Sequence, residues 1–154
     1  MNNESMNVAP VDEKLPVGKS LALALQHVLA MCAGAVAVPI IVCNAAGLSQ
    51  SDIVFLINAD LLIAGVATLI QTLGLGSKIG AKIPMVEGTS FATVSAMVAI
   101  ADSYKGDSLS AMTTIFGAVL IAGIFTFFMA PVFGKLLRFF PKVVTGTVVS
   151  IIGL

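Results

Sequence analysis

The sequence predicts an all-α integral membrane protein, a polytopic helical bundle, and three observations predict it. Of its 154 residues, 58% are hydrophobic and 10% charged, whereas about a quarter are charged in soluble domains. Apolar stretches long enough to cross roughly 30 Å of hydrocarbon as helices recur at Leu21–Val42, Ile53–Leu75 and Leu109–Phe133. The basic residues collect in the polar segments on one side, seven against one. With the N-terminus inside, Lys14, Lys19, Lys78, Lys82, Lys135, Arg138 and Lys142 are cytoplasmic and Lys105 alone is outside. Eight basic and eight acidic residues cancel, so nothing points to a nucleic-acid partner.

Met1–Ser20 carries Glu4, Asp12, Glu13, Lys14 and Lys19 and lacks a secretory h-region; it is expected to be a disordered cytoplasmic tail, residues 1–20. The first span, Leu21–Val42, holds Ala30, Ala33, Gly34 and Ala37 at small-xxx-small spacing, which predicts close packing against another helix. Cys32 and Cys43 lie 11 residues apart in one apolar segment, about 16 Å on a helix and too far for a disulfide. A loop is expected over Asn44–Asp52. The second span, Ile53–Leu75, carries Asn58, Asp60, Thr68 and Gln71. A basic loop (Gly76–Lys82), a third element, a polar loop (Ala101–Ser108) and the fourth span follow. Residues 21–134 thus form four spans, counting the third element as one crossing, and 135–142 a cytoplasmic connector. Val143–Leu154 covers only about 18 Å as a helix, so it is expected to be the truncated start of a fifth span and the chain an N-terminal fragment.

The third element, Lys82–Ile100, differs from the others. Pro84 and Gly88 disfavour a helix before residue 88, and Thr89 or Ser90 can cap one that starts there. Ile83–Gly88 is then extended and Ser90–Ile100 a half-helix of about 16 Å. Such backbone survives at membrane depth only when buried in protein or lining a cavity, here expected to be a polar hollow beneath Phe91. A half-helix starting near the midplane aims N–H donors and the positive end of its dipole at the occupant, as in the substrate sites of secondary transporters. The alternative is an ordinary helix from Ile79 to Ile100 that tolerates its Gly and Pro.

Ionisable residues inside spans are functional candidates by default. His27 is a proton-handling group or a neutral histidine bonded to a neighbouring helix. Asp60 is a functional carboxylate or one that pins helix ends or backbone donors of the broken element. A depth difference of roughly 10 Å argues against a direct His27–Asp60 bond. Glu87 lines the site or faces the watery loop side. The Phe91 ring, one residue past the cap, can stack on a flat ligand, while Ser90 and the amides after it can donate hydrogen bonds. His27, Asp60 and Glu87 match no nucleophile–base or metal-ligand spacing, so no catalytic residue, metal ligand or enzymatic activity is assigned.

Gln26-His27 within LQHVLAMCAGAVAVP, then NADLLIAGVATLIQTLG, then Gly88-Thr89-Ser90-Phe91, then FFPKVVTGTVVSIIGL resemble the nucleobase–ascorbate transporter family, also called nucleobase:cation symporters, and its xanthine and uric acid permeases in particular. The resemblance implies the N-terminal part of a transporter of seven plus seven spans in inverted repeats, with a core and a gate domain, working as a homodimer. It makes residues 21–134 half of the core, 143–154 the start of the gate, and Lys82–Ile100 a strand-plus-half-helix third span. It also implies ion-coupled uptake (H+ or Na+, with no cofactor) of a purine such as xanthine or uric acid across the cytoplasmic membrane. Phe91 would lie against the purine, Ser90, Thr89 and Gly88 would contact it, and Gln26 and His27 would shape the site. Asp60 falls in an acidic pattern of the second span. Glu87 stands where the family has an uncharged residue. Two rivals remain: an anion channel or exchanger of the same architecture, and a small membrane scaffold protein that transports nothing.

Overall fold

The computed structural model describes residues 15–76, 79–136 and 141–152. Their helices are α1 (Val17–Ala45), α2 (Gln50–Leu73), α3 (Val94–Ser103), α4 (Ser108–Leu136) and α5 (Lys142–Ile152), with a 3-10 turn, Phe91–Thr93, running into α3. Among the described residues there is no strand, only an isolated antiparallel bridge between Leu75 and Ile79. Helices α1, α2 and α4 are long and apolar enough to cross a membrane. The all-α, multi-pass membrane class expected from composition is the class observed.

Element ends differ from the sequence expectation for local reasons. Helix α1 starts at Val17, so the end of the expected tail is helical; the rest of that tail, residues 1–14, lies outside the described residues. Pro16 is well placed before a first turn, where a missing N–H costs nothing, and its carbonyl accepts the Ser20 N–H at 3.0 Å. The expected loop 44–52 shrinks to four residues because both helix ends are capped. Leu48 N–H reaches Cys43 O at 3.0 Å and Gly47 N–H reaches Asn44 O at 3.1 Å, a Schellman motif that ends α1. Ser49 Oγ then accepts the Asp52 N–H at 3.3 Å and donates to the Asp52 carboxylate at 2.6 Å, capping α2. Helix α4 opens in the same way, with Asp107 accepting the Ser110 N–H at 3.0 Å.

Two compact units partition the chain: α1 up to Ala37 with Val54–Thr89, and Val38–Ile53 with everything from Ser90. In the second unit Val38, Val42 and Ala46 of α1, Ala101 of α3, and Ala111 and Ile115 of α4 form the core. Lipid is as apolar as these side chains, so close packing of small residues holds such helices together rather than a hydrophobic drive. Ala101 and Ala111 are 1% and 0% exposed, as that requires. Ser108 adds a hydrogen bond to the Gly47 carbonyl at 3.1 Å. The packed face of α1 here is Val38, Val42 and Ala46; of the Ala30/Ala33/Gly34/Ala37 set, Ala30 and Ala33 are exposed. Beyond Ile115, α4 presents Leu120, Ile124 and Phe128 outward, as a membrane helix can.

In the first unit the chain turns back after α2. Gly74 N–H bonds Ile70 O at 2.9 Å and Leu75 N–H bonds Ile79 O at 2.9 Å. Gly80 passes so close to the helix end that a Cβ there would sit 2.5 Å from Ile70 O and 2.7 Å from Gly74 Cα, at φ +87°. Gly76 has φ +69° but open space around it. Gly80→Ala therefore combines a left-handed penalty of about 1–2 kcal/mol with a backbone clash, and Gly76→Ala carries only the penalty. The SDS-unfolding midpoint of the membrane-extracted protein is expected to fall clearly further for Gly80→Ala; equal falls would show that the turn-back does not hold Gly80 against α2.

Candidate functional site

From Gly80 to Thr89 the chain is not helical and runs back along α2, bonded step by step to one stripe of that helix. Ala81 N–H reaches Gln71 Oε1 at 3.2 Å and Lys82 N–H reaches Gln71 O at 3.0 Å. Thr72 Oγ1 donates to Met85 O over a long 3.5 Å. Thr68 Oγ1 accepts the Glu87 N–H at 2.9 Å, and Asp60 Oδ2 accepts the Thr89 hydroxyl at 2.7 Å. Residues three and four apart share a helix face, so positions 60, 64, 68, 71 and 72 form one stripe, with Ala64 buried in it at 6% exposure. Unpaired backbone at membrane depth is costly; here side chains of α2 supply partners for the Ala81 and Glu87 amides. The expected strand is thus extended chain without a strand partner among the described residues.

Gly88 is fixed by contact with α1. A Cβ there would lie 2.9 Å from Met31 Sδ and 3.1 Å from Met31 Cγ, so only glycine fits without displacing Met31. Two residues on, Ser90 caps the next helix. Its backbone is extended (φ −98°, ψ 134°), and its Oγ accepts the Ala92 N–H at 3.2 Å, while Thr93 Oγ1 donates to Ser90 O at 3.2 Å. The break and the cap therefore stand where Pro84, Gly88 and Ser90 placed them, and no rod runs through Val86–Thr93. One detail differs. The Ala92 amide, counted among the donors for a ligand, is taken by Ser90 itself. The Ser90 hydroxyl still has its own proton to donate.

A cavity of about 490 Å³ lies between Ser20, Leu23, Ala24, His27 and Val28 of α1, Thr68 and Thr72 of α2, and Pro84–Val86 of the extended run, with Leu15 at its rim. It is lined mainly by apolar side chains, with His27 and three hydroxyls, and its extended wall is Pro84–Val86 rather than Phe91. The polar hollow expected beneath Phe91 is therefore not what this cavity is. The amides of Ala81, Lys82 and Glu87 turn to α2. His27 lines it and Gln26 does not. Glu87 and Thr89 are half-buried, and Phe91 is 42% exposed. His27 lines the cavity with Thr68 and Thr72, whereas Asp60 lies about 12 Å along α2 from Thr68. Asp60 is committed to the broken element, through the Thr89 side chain rather than through helix ends or backbone donors.

Thr68, Gln71 and Thr72 had not been picked out as site residues. Their signal was present: polar positions at spacings of eight and eleven from Asp60 repeat one helix face in an apolar span.

The model of the Permease family matches residues 18–154. The uric acid transporter UacT of Escherichia coli is 43% identical over 144 residues, 94% of this chain and 29% of that protein. The uric acid permease PucJ of Bacillus subtilis is 46% identical over 136 residues, 88% of this chain and 29% of its own length. A xanthine permease of Bacillus subtilis is 43% identical over 137 residues, 89% and 30% respectively. The chain thus spans under a third of these relatives. No solved structure matches it significantly.

The Asp60–Thr89 bond can be weighed directly. A double-mutant cycle of Asp60→Ala and Thr89→Val, read by SDS unfolding, is expected to give a coupling of about 0.6–1.7 kcal/mol, the range of polar pairs between membrane helices. Strict additivity would show that the bond does not hold the extended run to α2.

Proposed function

Because the chain belongs to the Permease family, that of the nucleobase–ascorbate transporters, we propose that it carries part of the purine site of a secondary transporter. The single observation behind this reading is the unwound run Pro84–Thr89, tied to α2 and followed at once by a Ser90-capped half-helix. A planar purine offers ring nitrogens, carbonyl oxygens and a flat π face. Phe91 stacks on that face, Ser90 donates to a carbonyl oxygen or anionic ring, and the backbone of Gly88 and Thr89 lines its edge. Gln26 and His27 shape the site from α1, and Glu87 bears on which purine is accepted. The relatives named for uric acid and xanthine make these the substrates to try.

In this reading the protein catalyses no covalent chemistry and couples uptake to H+ or Na+. It sits in the cytoplasmic membrane with its N-terminus inside and works as a homodimer. Residues 21–134 belong to a core domain, and α5 opens a gate domain.

Cells expressing the complete reading frame are expected to accumulate radiolabelled xanthine or urate saturably, and to lose most of that uptake when a protonophore or sodium removal collapses the driving gradient. Chloride or bicarbonate flux without purine flux would transfer the reading to an anion exchanger. No solute flux at all would leave a scaffold protein.

A further inference from the structure

The extended run is held at its two ends by Gln71 and Asp60, and those bonds do not touch its middle. Gln71 grips Ala81 and Lys82, and Asp60 grips a side chain, that of Thr89. Between them the one short bond to the backbone is the Glu87 N–H to Thr68 Oγ1, at 2.9 Å; the Thr72–Met85 contact is 3.5 Å, beyond good hydrogen-bond length. A threonine inside a helix ordinarily turns its hydroxyl back to the carbonyl four residues earlier. Thr113 and Thr147 do so here, to Leu109 O at 2.8 Å and Val143 O at 2.9 Å. Thr68 Oγ1 faces across to another element as an acceptor. It also lines the cavity opposite His27, beside Pro84–Val86.

We propose that Thr68 is a positioning residue for substrate binding: by accepting the Glu87 N–H it sets the register in which Gly88, Thr89 and Ser90 follow. Extended side chains alternate faces with a period of two, so a slip of one residue turns every group after Glu87 to the wrong side. The residue touches no substrate and acts through the backbone alone. This inference rests on the purine-site reading above.

The test compares Thr68→Val, which keeps the shape and removes the acceptor, with Thr68→Ser, which keeps the acceptor. Both are made in the complete reading frame. Thr68→Val is expected to raise the KM for xanthine or urate uptake by roughly tenfold, the loss of about one net hydrogen bond. Thr68→Ser is expected to stay within about twofold of the parent, and membrane abundance of the two variants should match. A second measurement does not depend on transport. With Cys32 and Cys43 replaced by alanine, N-ethylmaleimide labelling of Val86→Cys reports the register of the run. Its rate is expected to shift severalfold with Thr68→Val and to be restored with Thr68→Ser. A parental KM with Thr68→Val, or a raised KM with unchanged labelling, would overturn the proposal. Should the parent take up no purine, the functional reading falls, and the labelling comparison still decides whether Thr68 sets the register.

Discussion

One constraint governs the rest of the first unit: backbone that leaves the helix inside hydrocarbon must find hydrogen-bond partners there. Each amide left without one costs several kcal/mol, a large fraction of the stability of any domain. Helix α2 meets the constraint in part, at the amides of Ala81, Lys82 and Glu87. Asp60, Thr68, Gln71 and Thr72 make a polar stripe along one face, and the run Ala81–Thr89 lies against it with bonds of 2.7 to 3.5 Å. A span with mean charge this low tolerates an aspartate because the carboxylate has a donor waiting in Thr89.

The other features of this region serve that contact. Turning the chain by nearly half a circle after Leu73 demands the close pass at Gly80, where backbone meets backbone and no Cβ fits. Lys82 accepts a left-handed φ of 55° at the same turn, a conformation that costs a non-glycine residue about 1–2 kcal/mol; its N–H to Gln71 O offsets part of that. Gly88 then lets the run pass beside Met31. Pro84, which has no N–H to satisfy, lines the cavity.

Much of this was legible in the sequence because it is encoded locally. Pro84, Gly88 and Ser90 are a breaker, a close-approach residue and a cap within seven positions, and each acts through its own backbone. The three long apolar helices followed from apolar length in the same way. The partners of the unwound run were less legible. Asp60 was visible because a carboxylate is rare in a span, but threonine is common in membrane helices, and Thr68 reveals itself only by sharing a face with Asp60 and Gln71. The packed face of α1 is hard to read for a related reason. Small residues occur all round that helix between Ala30 and Ala37, so spacing by itself does not choose a face; the core partners Ala101, Ala111 and Ile115 choose it, and they are more than 60 residues away. The facing ends of α1 and α2 lie further out than hydropathy suggests, because the Gly47 and Ser49 caps let the helices run on through Asn44 and Gln50.

Holding an extended segment by side chains rather than by a ladder also changes what the segment can do. A ladder fixes both edges of a strand through its backbone, so any side chain compatible with the pleat is accepted. A stripe fixes only the groups that meet an oxygen, here the amides of Ala81, Lys82 and Glu87 and the Thr89 hydroxyl. The register then depends on individual residues of α2, and substitutions far from any ligand can move the groups that follow. Together the run Pro84–Ser90 and the helical Phe91–Ser103 have a contour of about 23 Å plus 19 Å, more than the roughly 30 Å of a hydrocarbon core. The element can therefore cross a membrane while devoting half its length to backbone that a regular helix would have locked away. That is the physical reason a break in this span is worth its cost: it places Ser90 and Phe91 at a helix start, with a hydroxyl proton and an aromatic face still uncommitted.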